Sequence, residues 1–165
     1  MKHITKPLLP PKRGYVERED DSGNRYYYPV YSGYIEKEVV ITDSQSFHIP
    51  IVKDQIFDLI LIGGGGGYAL NTVGGSGQES NLQVVLEPDT EVEVSVGCGG
   101  SVNGGTTSFG IYAQAIGGLA GGGDNSIGSG GYEHNGKVYG SGGSADNAIG
   151  GDGLCIIRYQ VPVYV

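Results

Sequence analysis

Phe57-Asp58-Leu59-Ile60-Leu61-Ile62-Gly63-Gly64-Gly65-Gly66-Gly67 is the stretch on which the fold of this chain turns. Six residues of strong β character run without a break into five glycines. The same junction recurs in reverse near the other end, where Gly150-Gly151-Asp152-Gly153 runs into Leu154-Cys155-Ile156-Ile157-Arg158-Tyr159. Of the 32 glycines in 165 residues, only Gly14, Gly23 and Gly33 precede Gly63. A flexible linker is not bracketed by buried strands in this way, so the glycine stretches read as part of a folded body.

Composition agrees. Hydrophobic residues make up 38% and charged residues 17%, both below the globular norm, with Gly, Ser, Asn, Thr and Tyr filling the difference. No window shows sustained apolar spacing of three and four, and each glycine costs a helix about 1 kcal/mol relative to alanine. The class expected is all-β. The segments 35–42, 46–52, 57–62, 81–86, 91–96, 106–109, 111–116 and 154–159 read as strands. Glu91-Val92-Glu93-Val94-Ser95-Val96 alternates strictly, with three valines for a core. Pro50 places the second strand at an edge, because proline cannot donate to a ladder. The expectation is an antiparallel β-sandwich, jelly-roll-like, with inserted glycine loops.

Residues 1–34 read as an extended N-terminal arm and 35–165 as the glycine-rich sandwich domain. The first thirteen residues hold Lys2, Lys6, Lys12 and Arg13 with no acid, and Pro7, Pro10 and Pro11 stiffen them. A hairpin is expected around Asp21-Ser22-Gly23-Asn24, flanked by Tyr15 and the run Tyr26-Tyr27-Tyr28. Lys6, the three prolines and these four tyrosines are the candidate docking residues, since preorganised proline segments and amphipathic tyrosines suit an interface.

The net charge of −8 argues against a nucleic-acid partner. No apolar run approaches the ~20 residues that span a bilayer, and the N-terminus lacks the apolar region of a signal peptide. Cys98 and Cys155 read as two small buried thiols rather than a bridge.

Three arrangements of the glycine segments compete: a disordered linker, a phosphate-binding loop, and an ordered lattice. Gly67 is followed by Tyr68-Ala69-Leu70, not Lys-Ser/Thr, which counts against the phosphate loop. In the lattice, polyproline-II-like chains have backbone groups pointing sideways, and bare glycines approach closely enough to bond them.

The order of these pieces carries a resemblance. The five-glycine run comes first, then Val92-Glu93-Val94-Ser95-Val96-Gly97-Cys98-Gly99-Gly100 and Gly104-Gly105-Thr106-Thr107-Ser108-Phe109-Gly110. Ala115-Ile116-Gly117-Gly118-Leu119-Ala120-Gly121-Gly122-Gly123 and the closing Gly150–Tyr159 segment follow. Across roughly residues 35–160 this resembles the glycine-rich domain of bacteriophage tail fibres and adhesins. The resemblance implies a β-sandwich carrying packed polyglycine helices, displayed on a virion at a tail tip or baseplate, with loops between the helices contacting a host-surface receptor. In place of a large attachment domain the chain has only residues 1–34, which are expected to dock on other virion proteins. An exposed glycine lattice in a symmetric fibre is expected to form a homo-oligomer, taken as a trimer. The alternative is a capsid or tail decoration protein without a receptor role.

No catalytic constellation is present, so no enzyme, cofactor or metal is expected. His3, His48 and His134 are scattered, Glu91 and Glu93 form the wet face of a strand, and Asp146 and Asp152 read as Asx-turns. For receptor contact the least glycine-like stretches are the candidates: Tyr68 and Asn71 after the first run, and Tyr132, Glu133, His134, Asn135 and Tyr139 around the Asn135-Gly136 turn.

Overall fold

The computed structural model describes residues 15–29, 31–122 and 130–164. In chain order the strands are β1 (Tyr15–Glu19), β2 (Arg25–Pro29), β3 (Tyr31–Ile41), β4 (Gln45–His48), β5 (Ile56–Ile62) and β6 (Glu79–Val85). They continue with β7 (Glu91–Ser95), β8 (Thr107–Phe109), β9 (Ala113–Ala115), β10 (Tyr132–His134), β11 (Lys137–Tyr139) and β12 (Leu154–Tyr164). No helix occurs among the described residues, as the glycine content and missing helical periodicity require.

Two four-stranded antiparallel sheets carry the fold, ordered β3-β12-β5-β6 and β4-β7-β8-β9. Their apolar faces meet in one core that joins Phe57, Leu59, Leu61 and Ile157 of the first sheet to Val92, Val94, Phe109 and Ala115 of the second. The alternation read in Glu91–Val96 is what the packing uses: Val92, Val94 and Val96 are buried while Glu91 and Glu93 are exposed. β5 is central in its sheet and β4 lies at an edge, with Pro50 just beyond it.

The jelly-roll expectation needs correction. A jelly roll wraps through two Greek keys. Here β5 and β6 are a consecutive hairpin and β7, β8 and β9 a consecutive meander. The short Gly110-Ile111-Tyr112 connection turns β9 back to pair with β8. The expected arm hairpin is present as a two-stranded sheet, β1 with β2, that joins neither large sheet. Asp20 closes its turn by accepting from the Ser22 and Asn24 N–H groups at 2.9 and 2.8 Å.

The glycine stretches leave the sandwich at one end. β5, β7 and β9 run outward into 63–67, 97–100 and 117–118, and the chain returns through 77–78, 104–106 and 150–153 into β6, β8 and β12. The Gly63–Gly67 stretch is buried throughout. Gly63 and Gly66 donate to Gln78 and Gly75, each at 2.9 Å; Gly64 and Gly67 donate to Gly105 and Val102 at 2.9 and 2.8 Å. Gly65 and Tyr68 donate to Gly151 and Ala148 at 2.8 and 2.9 Å. Successive N–H groups therefore address three different neighbours and return to the first after three residues. A β-strand would alternate between two. The carbonyls of Gly64, Gly65, Gly66 and Gly67 accept from Gly118, Gly100, Gly143 and Gly121. The stretch is thus tied to every other described glycine segment.

Side chains are excluded by proximity. A Cβ placed on Gly65 would run into the Ser141 carbonyl, and one on Gly64 into that of Cys98. Backbone this close is available to glycine alone, which is why the sequence concentrates it here.

Candidate functional site

At the end remote from the sandwich the described glycine segments lead into four turns, spanning 68–73, 101–103, 119–122 and 144–149. Backbone bonds hold the turns side by side. Gly67 N–H donates to Val102 O at 2.8 Å, Tyr68 N–H to Ala148 O at 2.9 Å, and Gly121 N–H to Gly67 O at 3.0 Å. The Ala120 N–H adds a 2.9 Å bond to Asn103 Oδ1.

The surface these turns present is aliphatic and almost uncharged. Leu70 is 95% exposed, Val102 69% and Ile149 57%, with Leu119 and Val73 exposed beside them. Asp146 is the single charged side chain in the four turns. Asn71, Asn103 and Asn147 supply amides around the aliphatic groups.

Leu70 is the most unusual of these residues. Ala69 and Thr72 exchange both backbone bonds, at 3.1 and 2.9 Å, around a two-residue turn in which Leu70 and Asn71 have φ of 51° and 58°. Two successive left-handed residues are the hallmark of a type I′ hairpin turn, where Asn and Gly are favoured. A leucine there costs about 1–2 kcal/mol in backbone strain, and its side chain gains no burial in return. Folding does not explain the choice.

The expected contact residues divide between two places. Tyr68 is half-buried at the base of the first turn and Asn71 is exposed at its apex, so both belong to the tip. The other five lie on the β10–β11 hairpin, which packs on the outer face of the first sheet. Tyr139 is only 7% exposed and is buried with Ile62, Leu154 and Ile156; Tyr132 packs against the same cluster. Tyr139 is therefore a core residue and is withdrawn as a contact candidate: the outer face of the sheet is apolar here and the hairpin covers it. From Ile62 the tip lies beyond the five residues Gly63–Gly67.

His134 is also committed internally. Its Nε2 is buried and lies 3.2 Å from Glu38 Oε1, off the axis of a hydrogen bond. Glu38 Oε2 accepts from Arg158 Nε at 2.8 Å. That bond from the guanidinium holds the Glu38 carboxyl below its ordinary range, with the histidine adding to the effect, and Glu38 in turn raises Arg158. The His134 ring stacks on Tyr132 at 6.4 Å between centroids. Glu133 and Asn135 remain exposed on the flank of the molecule.

Of the docking residues, Lys6, Pro7, Pro10 and Pro11 lie outside the described residues. Tyr15 is on β1 and Tyr26, Tyr27 and Tyr28 on β2, in register with Arg18, Glu17 and Val16 for the latter three. The cysteines are free; Cys155 is buried as expected, whereas Cys98 is exposed, because the carbonyl side of its glycine stretch faces the body. Asp152 uses Oδ1 to accept from Gly99 N–H at 2.8 Å, which makes it a brace between two glycine segments. Among the described residues no cluster of His, Cys, Asp and Glu has the makings of a metal site.

Val102, Leu119 and Ile149 were not picked out from the sequence. Each is a lone aliphatic residue at the end of a glycine run, and only the bonding of the runs brings the three together. Compared with known proteins, the chain matches no family model, no curated protein and no solved structure.

Proposed function

We propose that this chain is a structural protein of a bacteriophage virion, an adhesin-like component of a tail fibre or baseplate that holds the tip of its glycine body against a host-surface receptor. The observation that carries the reading is the three-residue repeat in the partners of Gly63–Tyr68. That repeat is the signature of a polyglycine helix of polyproline-II type, three residues per turn with no internal bonds. Packed helices of this kind make a rigid post from backbone alone and leave the turns at its far end free to vary in sequence. The product of a post built this way is the position of its tip.

Residues 1–34 attach the post to other virion proteins, and the assembled unit is a homo-oligomer, a trimer in the symmetry common to fibres. The aliphatic tip favours this reading over a decoration protein, because isolated decoration gives no reason to keep Leu70 strained and in water.

The test is adsorption. Purified protein should bind host cells and compete with phage for them, and Leu70→Asn should lose both effects while remaining folded. Binding that is absent from every host strain, together with many copies located on the capsid shell of the imaged particle, would support decoration instead.

A further inference from the structure

We infer that the basic N-terminal segment 1–13 of one copy docks in an acidic groove on the second sheet of a neighbouring copy. The groove has a volume of about 290 Å³ and runs between the β6–β7 and β8–β9 connections. Glu87, Glu91 and Glu93 supply one wall, and Val92, Ile111 and Tyr112 the apolar side. All three glutamates are exposed, and none is ion-paired with another described residue.

The apolar side is shaped and held. Ile111 is 96% exposed and Tyr112 47%. The Tyr112 ring sits 6.3 Å from that of Phe109, a residue buried in the sandwich core. Gly110 has φ +49°, and a Cβ there would come within 2.9 Å of Val92 Cγ1. An exposed aliphatic residue beside a fixed aromatic ring and a line of carboxylates suits an extended peptide that is basic, aliphatic and rich in proline.

The chain contains one such peptide. Residues 1–13 bring Lys2, Lys6, Lys12 and Arg13 without an acid, the aliphatics Ile4, Leu8 and Leu9, and three prolines. Proline-rich peptides give up less conformational entropy on binding than freely jointed ones. The opposite charges of peptide and groove give the pairing its direction. The donor is taken as a neighbouring copy because the assembled unit proposed above is a homo-oligomer; β1, which follows the segment, pairs only with β2 in a sheet separate from both large sheets. This deepens the reading of residues 1–34 as an attachment arm by naming a second copy of this chain as its partner.

Sedimentation of the full chain over a range of concentrations, at low and high salt, tests it. The wild type should self-associate at low salt and disperse at high salt. Glu91→Lys with Glu93→Lys should weaken association about tenfold or more, as should Lys12→Glu with Arg13→Glu. Mixing the two doubly substituted proteins should restore pairing, since each then offers what the other lacks. The arm variant leaves the sandwich untouched, so it stays informative if the groove variant folds poorly. A monomeric wild type at all concentrations, association indifferent to the arm charges, or a segment that binds only within its own chain would each overturn the inference. If association fails while the arm variant still loses its place on the particle, the attachment reading stands and only the partner named here falls.

Discussion

The Thr107 hydroxyl donates a 2.6 Å hydrogen bond to the Ile62 carbonyl, linking β8 of one sheet to the last residue of β5 in the other. The same oxygen accepts from the Gly97 N–H at 3.0 Å, and Thr107 is fully buried. One side chain thus satisfies two backbone groups at the level where the strands give way to the glycine segments. Thr107→Val keeps the shape and removes both bonds, leaving a buried donor and a buried acceptor at about 1–3 kcal/mol each. A loss of about 2–5 kcal/mol in denaturant unfolding is expected, with Thr107→Ser losing about 1 kcal/mol. Equal losses for valine and serine would show that the methyl, not the hydroxyl, matters.

Contact across bare backbone makes the effect of an added methyl group strongly position-dependent. Gly65→Ala drives a Cβ into the Ser141 carbonyl in the middle of the body, so the segments must separate. Backbone cannot rotate away as a side chain would. Gly65→Ala should speed amide exchange through 97–105 and 140–153 and lower the melting temperature sharply. Gly130→Ala meets nothing within 4 Å and its φ is not left-handed, so it should stay within about 0.5 kcal/mol of wild type.

The two thiols should differ in chemistry. Burial pushes the Cys155 thiol up to about 12, so it has almost no thiolate at neutral pH and no access to reagent. Cys98 is exposed at the side of the glycine body. A disulfide reagent should titrate one thiol promptly in the native protein and the second only at the rate of unfolding. Prompt reaction of both would mean that the sandwich opens far more readily than its core packing allows.

The sandwich was legible in the sequence wherever a strand has one wet face. Glu91–Val96 is the clearest case, since its period of two survives unchanged in the burial of Val92 and Val94. The β10–β11 turn was equally legible from Asn135-Gly136, both of which take positive φ. What that hairpin covers was not. Tyr139 stands between Val138 and Gly140 with nothing local to mark it as buried, and its burial depends on Ile62, Leu154 and Ile156 from strands far away in the chain. The glycine body was legible as a body but not as a set of contacts, because glycines carry no pattern to say which run bonds which. For the same reason the tip was only half visible: Tyr68 and Asn71 advertise polarity, while Val102 and Ile149 become a surface only when four turns are brought together.

Glu38 gives the hairpin and the first sheet a shared dependence on pH. Its folded carboxyl is lowered from the ordinary 4.5, chiefly by the bond from Arg158 and with help from His134. A lowered carboxylate stabilises the fold fully above its unfolded value, and that contribution is lost as pH falls through the folded one. Glu38→Gln should therefore be less stable than wild type at neutral pH, and the two should converge in acid, below pH 4.5. Partial exposure of the group keeps the difference small, so thermal melts of both proteins across the same pH series are the measurement to compare. A gap that persists unchanged into acid would assign the cost to lost packing.

Leu70 separates stability from recognition. At φ 51° in a turn that favours Asn or Gly, and 95% exposed, the leucine is unfavourable on both counts for the isolated fold. Leu70→Asn relieves part of the left-handed strain and removes an apolar group from water, so it should raise stability by about 0.5–1 kcal/mol. The same change takes away the most prominent aliphatic group of the tip. An apolar anchor that fills a pocket on a partner is commonly worth 2 kcal/mol or more, about thirtyfold in affinity. The variant should therefore melt higher and adsorb to host cells more weakly, a combination that general damage cannot produce. Leu70→Met, close in volume and still apolar, should retain adsorption. If Leu70→Asn melts higher and adsorbs as well as wild type, the tip is not the contact surface and the strained leucine is left without a reason.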